Sequence, residues 1–120
     1  FGLLGHAHEM AAGSGLAIEL HADAVPALDH VIEQIGQGVY TMVCGTNKEY
    51  LGDAIAFDDG VAPEWQQLLM EAETSGGLLL SVEPGKAADV VEGLKMKGCS
   101  QAAVVGRVID GESGRIEVRA

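Results

Sequence analysis

The sequence predicts an α+β fold, a mixed, largely antiparallel sheet backed by helices, and three observations predict it. Helical and strand periodicities are interspersed along the chain. The last alternating run follows a tight acidic turn, which predicts a terminal hairpin and so an antiparallel contribution to the sheet. The chain has 120 residues, 48% of them apolar, enough for one hydrophobic core and too few for two.

In chain order, Leu3, Leu4, Ala7, Met10 and Ala11 recur at helical spacing, and Gly13-Ser14-Gly15 supplies a stop. Leu16 to His21 alternates as a half-buried strand. Leu28, Val31, Ile32 and Ile35 mark a second helix that stops at Gly36 or Gly38, with Asp29 and Glu33 on its solvated side. Residues 39–61 carry Gly45, Gly52 and Gly60 between short apolar pieces and read as a long irregular segment. Pro63 opens a third helix at the position where its missing N–H costs least, and Trp65, Leu68, Leu69 and Ala72 form its inward stripe.

Leu78 to Val82 then reads as a buried strand ended by Pro84-Gly85. Ala87, Val90, Val91 and Leu94 describe a fourth helix closed by Gly98. Ala102 to Ile109 reads as a largely buried strand, and Arg115 to Arg119 as its hairpin partner across Gly111–Gly114.

Charge and composition narrow the function classes. A net charge of −11, with seven Lys and Arg residues scattered along the chain, argues against nucleic acid as a partner. No apolar run reaches membrane-spanning length, so no membrane partner is expected. Cys44 and Cys99 form no C-x-x-C pair, which removes support for zinc or thioredoxin-like chemistry. Without a secretory segment they read as reduced, partly buried thiols of a cytoplasmic protein. The start at Phe1-Gly2-Leu3-Leu4, inside an apolar helical run, predicts a piece of a larger protein.

One stretch stands out chemically. Thr74-Ser75-Gly76-Gly77 sets two hydroxyls beside two glycines between a helix and an apolar run, so side-chain and backbone donors are exposed together. On local grounds alone, a simple helix-to-strand turn is the commoner meaning of such a motif. Cys44-Gly45-Thr46-Asn47-Lys48 offers a backbone, a hydroxyl, an amide and a cation, and on the same local grounds reads as a surface turn. His6 and His8 lie two apart on a helix and point to different sides, while His21 and His30 lie on other elements, so no shared metal site is expected.

Three stretches in colinear order, Phe1-Gly2-Leu3-Leu4-Gly5-His6, Glu71 to Leu79 and Val105-Gly106-Arg107-Val108, resemble one family. They are similar to the C-terminal domain of the selenophosphate synthetases (selenide, water dikinases), of the aminoimidazole ribonucleotide synthetase-like (PurM-like) superfamily. The resemblance runs over essentially the whole chain. It implies that residues 1–120 are a single C-terminal domain of a two-domain enzyme that turns ATP, selenide and water into selenophosphate, AMP and phosphate. The cofactors it implies are ATP and magnesium, held mostly by an N-terminal domain that carries the catalytic and metal-binding residues.

By motif match, Thr74, Ser75, Gly76, Gly77, Gly45 and Thr46 are the expected nucleotide-facing residues, with no catalytic or metal-binding residue in this stretch. The implied partners are that N-terminal domain, a second copy in a homodimer, ATP and selenide. Two departures stand out. Glu71-Ala72-Glu73 replaces an Asp-Pro-Gln, and Val43-Cys44-Gly45-Thr46 replaces a Pro-Gly-Gly-Thr, with Glu49 where an asparagine follows. Related superfamily activities, thiamine-monophosphate kinase or hydrogenase-maturation dehydratase, and a purely structural docking or dimerisation module are the alternatives.

Overall fold

The computed structural model describes residues 1–120. Its helices are α1 (Gly2–Ser14), α2 (Val31–Gly36), α3 (Val43–Leu51), α4 (Pro63–Met70) and α5 (Ala87–Met96). Its strands are β1 (Ala17–His21), β2 (Ile55–Phe57), β3 (Gly106–Ile109) and β4 (Ile116–Arg119), in sheet order β2-β4-β1-β3.

The expected α+β class with a mixed, helix-backed sheet is observed, but the balance of pairings differs. Only β1 and β3 run antiparallel, while β1–β4 and β2–β4 are parallel. The expected terminal hairpin is absent because β1 lies between its two arms. Residues 110–115 wrap around the start of β1 instead, where Gly114 N–H donates to the Leu16 carbonyl and Ile18 N–H to the Arg115 carbonyl.

α1 carries the first half of the core. Leu4, Ala7 and Ala11 fall on one stripe and are buried against Ile18, Leu20, Ile116 and Val118. The last four share one sheet face because the β1–β4 register sets Ile18 beside Ile116 and Leu20 beside Val118. Gly15, left-handed at φ 67, ends α1 where the glycine cluster predicts.

The opposite face is polar at its centre. Glu19 on β1 accepts from Arg107 Nε of β3 at 2.8 Å and Arg119 Nε of β4 at 3.4 Å. Arg119 also donates to Asp58 at 2.7 Å and to Glu117. Hydrogen bonding and charge from Arg107, followed by Arg119, outweigh desolvation and hold the Glu19 carboxyl below its ordinary value.

Several elements differ from expectation for identifiable reasons. α2 begins only at Val31, because His30 takes a left-handed φ of 65, and Leu28 is left exposed. Residues 39–61 are ordered into α3, a 3-10 turn at Gly52–Ala54 and β2; the buried stripe of α3, Cys44, Asn47 and Leu51, hides its helical period behind a polar residue. α4 ends at Met70, so Ala72 lies outside it and is exposed.

Leu78–Val82 forms no strand. Its amides and carbonyls enter no backbone hydrogen bond within the chain, and Leu78 is 88% exposed. The expected buried strand at 102–109 contracts to β3, with Val104 and Val108 exposed on an edge. Gly106 lies so close to the Glu19 carbonyl and Leu20 Cα that no Cβ fits there.

These contrasts are directly measurable. Leu4→Ala, at a site that is 0% exposed, should cost about 2–5 kcal/mol in urea unfolding. Leu78→Ala should change stability by less than about 0.5 kcal/mol. For Glu19, whose folded pKa is depressed, the stabilisation is complete above the ordinary value of 4.5 and is lost as pH falls through the lower folded value. Thermal unfolding of Glu19→Gln against the unsubstituted chain should therefore show a constant deficit above that pH that closes at more acidic pH; a deficit independent of pH would contradict the network.

Candidate functional site

The junction between α4 and the following turn gathers three separate parts of the chain. Gly2, left-handed at φ 67, brings its backbone against the last peptide of α4; a Cβ on residue 2 would come within 2.8 Å of the Met70 carbonyl carbon and the Glu71 oxygen. From α3, the buried Asn47 donates its amide to the Met70 carbonyl at 2.8 Å. From the segment leading into α3, Thr41 donates to the buried Glu71 carboxylate through its hydroxyl at 2.6 Å and its N–H at 3.1 Å. The first and second motifs are thus in contact, although about seventy positions separate them.

Immediately beyond this junction, Gly76 N–H donates to the Glu73 carbonyl at 2.9 Å and closes a turn with Thr74 and Ser75 at its centre. Ser75 has φ 65, the positive value that a type II turn requires at its third position and that most side chains avoid. Both hydroxyls are exposed, and neither makes a hydrogen bond within the chain. The N–H groups of Ser75, Gly77 and Leu78 have no backbone acceptor either. An exposed cluster of unspent donors is chemically suited to an anion.

Gly45 and Thr46 lie elsewhere, in the first turn of α3. With Tyr40, Thr41, Met42, Val43 and Glu49 they line an open depression of about 550 Å³. Thr46 spends its hydroxyl on the Val43 carbonyl at 3.1 Å. Thr74–Gly77 do not line this depression. The connection between the two groups is Thr41, which belongs to the depression and is bonded to Glu71 three residues before Thr74.

Sequence reasoning missed Thr41 and gave Asn47 and Glu71 no organising role, although these three side chains hold the region together. A carboxylate just past a helix end and an amide among apolar neighbours are faint local signals, and only their distant partners give them meaning. Three of the histidines make separate contacts: His8 Nδ1 meets the Gly114 carbonyl at 2.7 Å, while His6 and His30 meet Glu9 and Glu33. No group of three or more His, Cys, Asp or Glu side chains is arranged to hold a metal ion.

Both cysteines are free thiols. Cys44 is buried with Sγ 3.7 Å from the Gln67 carbonyl, whereas Cys99 is exposed, so the expectation of two partly buried thiols splits into one of each kind. Burial, followed by the Glu71 charge, pushes the Cys44 thiol up against a smaller opposing effect of Lys48. No helix is long and apolar enough to cross a membrane.

Comparison with known proteins agrees with this architecture. The selenide, water dikinase of Burkholderia ambifaria is 38% identical over 118 residues, 98% of this chain and 33% of its own length. The protein of that name from Treponema denticola is 38% identical over 112 residues, 90% of this chain and 31% of its own. That of Clostridium botulinum is 33% identical over 110 residues, 92% and 32% respectively. The chain therefore spans about a third of the length of the curated relatives it matches. A family model for the AIR synthase related protein, C-terminal domain, matches residues 1–119, and the chain belongs to that family.

Proposed function

We propose that residues 1–120 are the C-terminal domain of an ATP-dependent selenophosphate synthetase, forming one wall of its nucleotide and phosphate cleft and inactive alone. The observation that carries this reading is identity of 33–38% to relatives named selenide, water dikinase over at least 90% of the chain. The overall reaction converts ATP, selenide and water into selenophosphate, AMP and phosphate. The same reading makes the protein cytoplasmic, partnered by its own N-terminal domain and paired with a second copy.

The side chains fit the phosphate half of such a site. Thr74 and Ser75 would donate hydroxyls, and Ser75, Gly77 and Leu78 their backbone N–H groups, to phosphate oxygens, fixing the nucleotide by position and charge complementarity. Gly45 and Thr46 would bring the first turn of α3 to the same cleft. The metal half does not fit this chain, which offers no clustered set of three or more His, Cys, Asp or Glu ligands. Magnesium, when bound by the rest of the enzyme, neutralises phosphate charge.

A second reading, a docking module without site chemistry, is favoured by the exposed apolar side chains Leu78, Leu80, Val82, Val104 and Val108. Kinetics on the full-length enzyme separate the two. Thr74→Ala combined with Ser75→Ala should lower kcat/KM for ATP about 10- to 100-fold. Unchanged kinetics would leave only the docking role. The 120-residue chain by itself should form no AMP in the presence of ATP, magnesium and selenide.

Neither thiol fits a reactive role in this chain. With native protein at pH 8, a thiolate-selective alkylating agent followed by mass spectrometry should modify Cys99 and leave Cys44 unmodified until denaturant is added. Rapid native labelling of Cys44 would contradict its burial.

A further inference from the structure

We propose that Glu71 is a positioning residue: its carboxylate clasps Thr41 so that the first turn of α3 and the Thr74–Gly77 turn keep one fixed relative placement. The inference rests on reading those two segments as phosphate-facing.

Glu71 is 8% exposed, yet no Lys, Arg or His pairs with it. Its partners are all neutral donors. Thr41 gives its hydroxyl to Oε2 at 2.6 Å and its N–H to Oε1 and Oε2 at 3.1 and 3.3 Å, and Gln67 gives its side-chain amide to Oε1 at 3.2 Å. A buried carboxylate without a cation is unfavourable unless donors are held rigidly around it. Gln67, one turn back on α4, fixes the carboxylate from its own helix. Thr41 is then the one distant group it holds.

The clasp has a second anchor beside it. Asn47 ties the middle of α3 to the Met70 carbonyl, while Glu71 ties the segment entering α3 to the residue after Met70. Cys44 and Leu51 pack the buried side of α3 into the core, and the two anchors add directed bonds that set the start of the helix against the end of α4. Gly45 and Thr46 lie between the two anchors, and Thr74 follows Glu71 by three residues. The Glu71 carboxylate therefore ties the approach to the first turn of α3 to the residue from which the chain leads into the Thr74–Gly77 turn.

Glu71→Gln keeps the shape of the side chain, removes the charge and sets an amide donor against the donors of Thr41 and Gln67. Because the Asn47 anchor survives, the domain should stay folded, which amide exchange of β1 and β4 reports independently. Two measurements test the role. In the 120-residue chain, Thr41 amide exchange should accelerate about tenfold in Glu71→Gln with β1 and β4 unchanged. In the full-length enzyme the same substitution should raise KM for ATP about tenfold and leave kcat within about threefold.

Thr41→Val, which removes the hydroxyl from the other side, should raise KM in the same direction, and the double variant should be no worse than the more impaired single variant. Unchanged Thr41 exchange would overturn the clasp whatever the activity. Faster exchange with unaltered KM and kcat in an active enzyme would overturn the positioning role and leave the clasp as structure alone. An unsubstituted full-length enzyme without selenide-dependent ATP cleavage would overturn the proposed function and the positioning role with it, whereas the exchange result would still stand.

Discussion

Residue 2 has room for a hydrogen atom and no more, and the arrangement of the functional region follows from that. Because Gly2 adopts a left-handed backbone against the Met70–Glu71 peptide, the start of α1 and the end of α4 are fixed at van der Waals contact. The same peptide carbonyl receives Asn47 from α3, and the next side chain receives Thr41. Three segments thus converge on two consecutive residues. A bulkier residue at position 2 would push α4 away and carry the Thr74–Gly77 turn with it.

The sheet depends on a different balance on each face. One face is closed by α1 through aliphatic packing, which tolerates little change in volume. At the centre of the other, Glu19 is 9% exposed beneath the arginines of two neighbouring strands, and no helix stripe is buried there. Desolvation of that carboxylate opposes the attraction, and the direction of its shift shows that the arginines win. Register across three strands is therefore specified electrostatically as well as by apolar matching, because a one-residue slip would move Glu19 to the α1 side.

How much of this was legible in the sequence depended on how local each cause was. α1, its glycine stop, and the Pro63 start of α4 follow from neighbours within a turn or two, and they appear as expected. α3 was hidden because its buried stripe contains Asn47, whose partner lies 23 positions away. The pairing of β3 and β4 with β1 and not with each other was unreadable from the short acidic turn. Leu78–Val82 has the apolar run of a buried strand, but a run of that kind does not say whether a neighbour exists. For the site, the glycine pair drew attention to Thr74 and Ser75, whereas Glu71 stood out only as a departure from the family's Asp-Pro-Gln, because the partner that gives it a role, Thr41, lies 30 positions away.

The position of β1 in the sheet has a consequence for biosynthesis. Both of its neighbours, β3 and β4, come from the last fifteen residues of the chain, while β1 itself ends at His21. The 84 residues between His21 and Gly106 must leave the ribosome before the first strand finds either partner. Until then α1 has no sheet to cover, and its apolar stripe must be kept from other surfaces. Such long-range closure slows folding and prolongs exposure of β1's edges. How long β1 stays unpaired is thus set by where its partners lie in the order of translation.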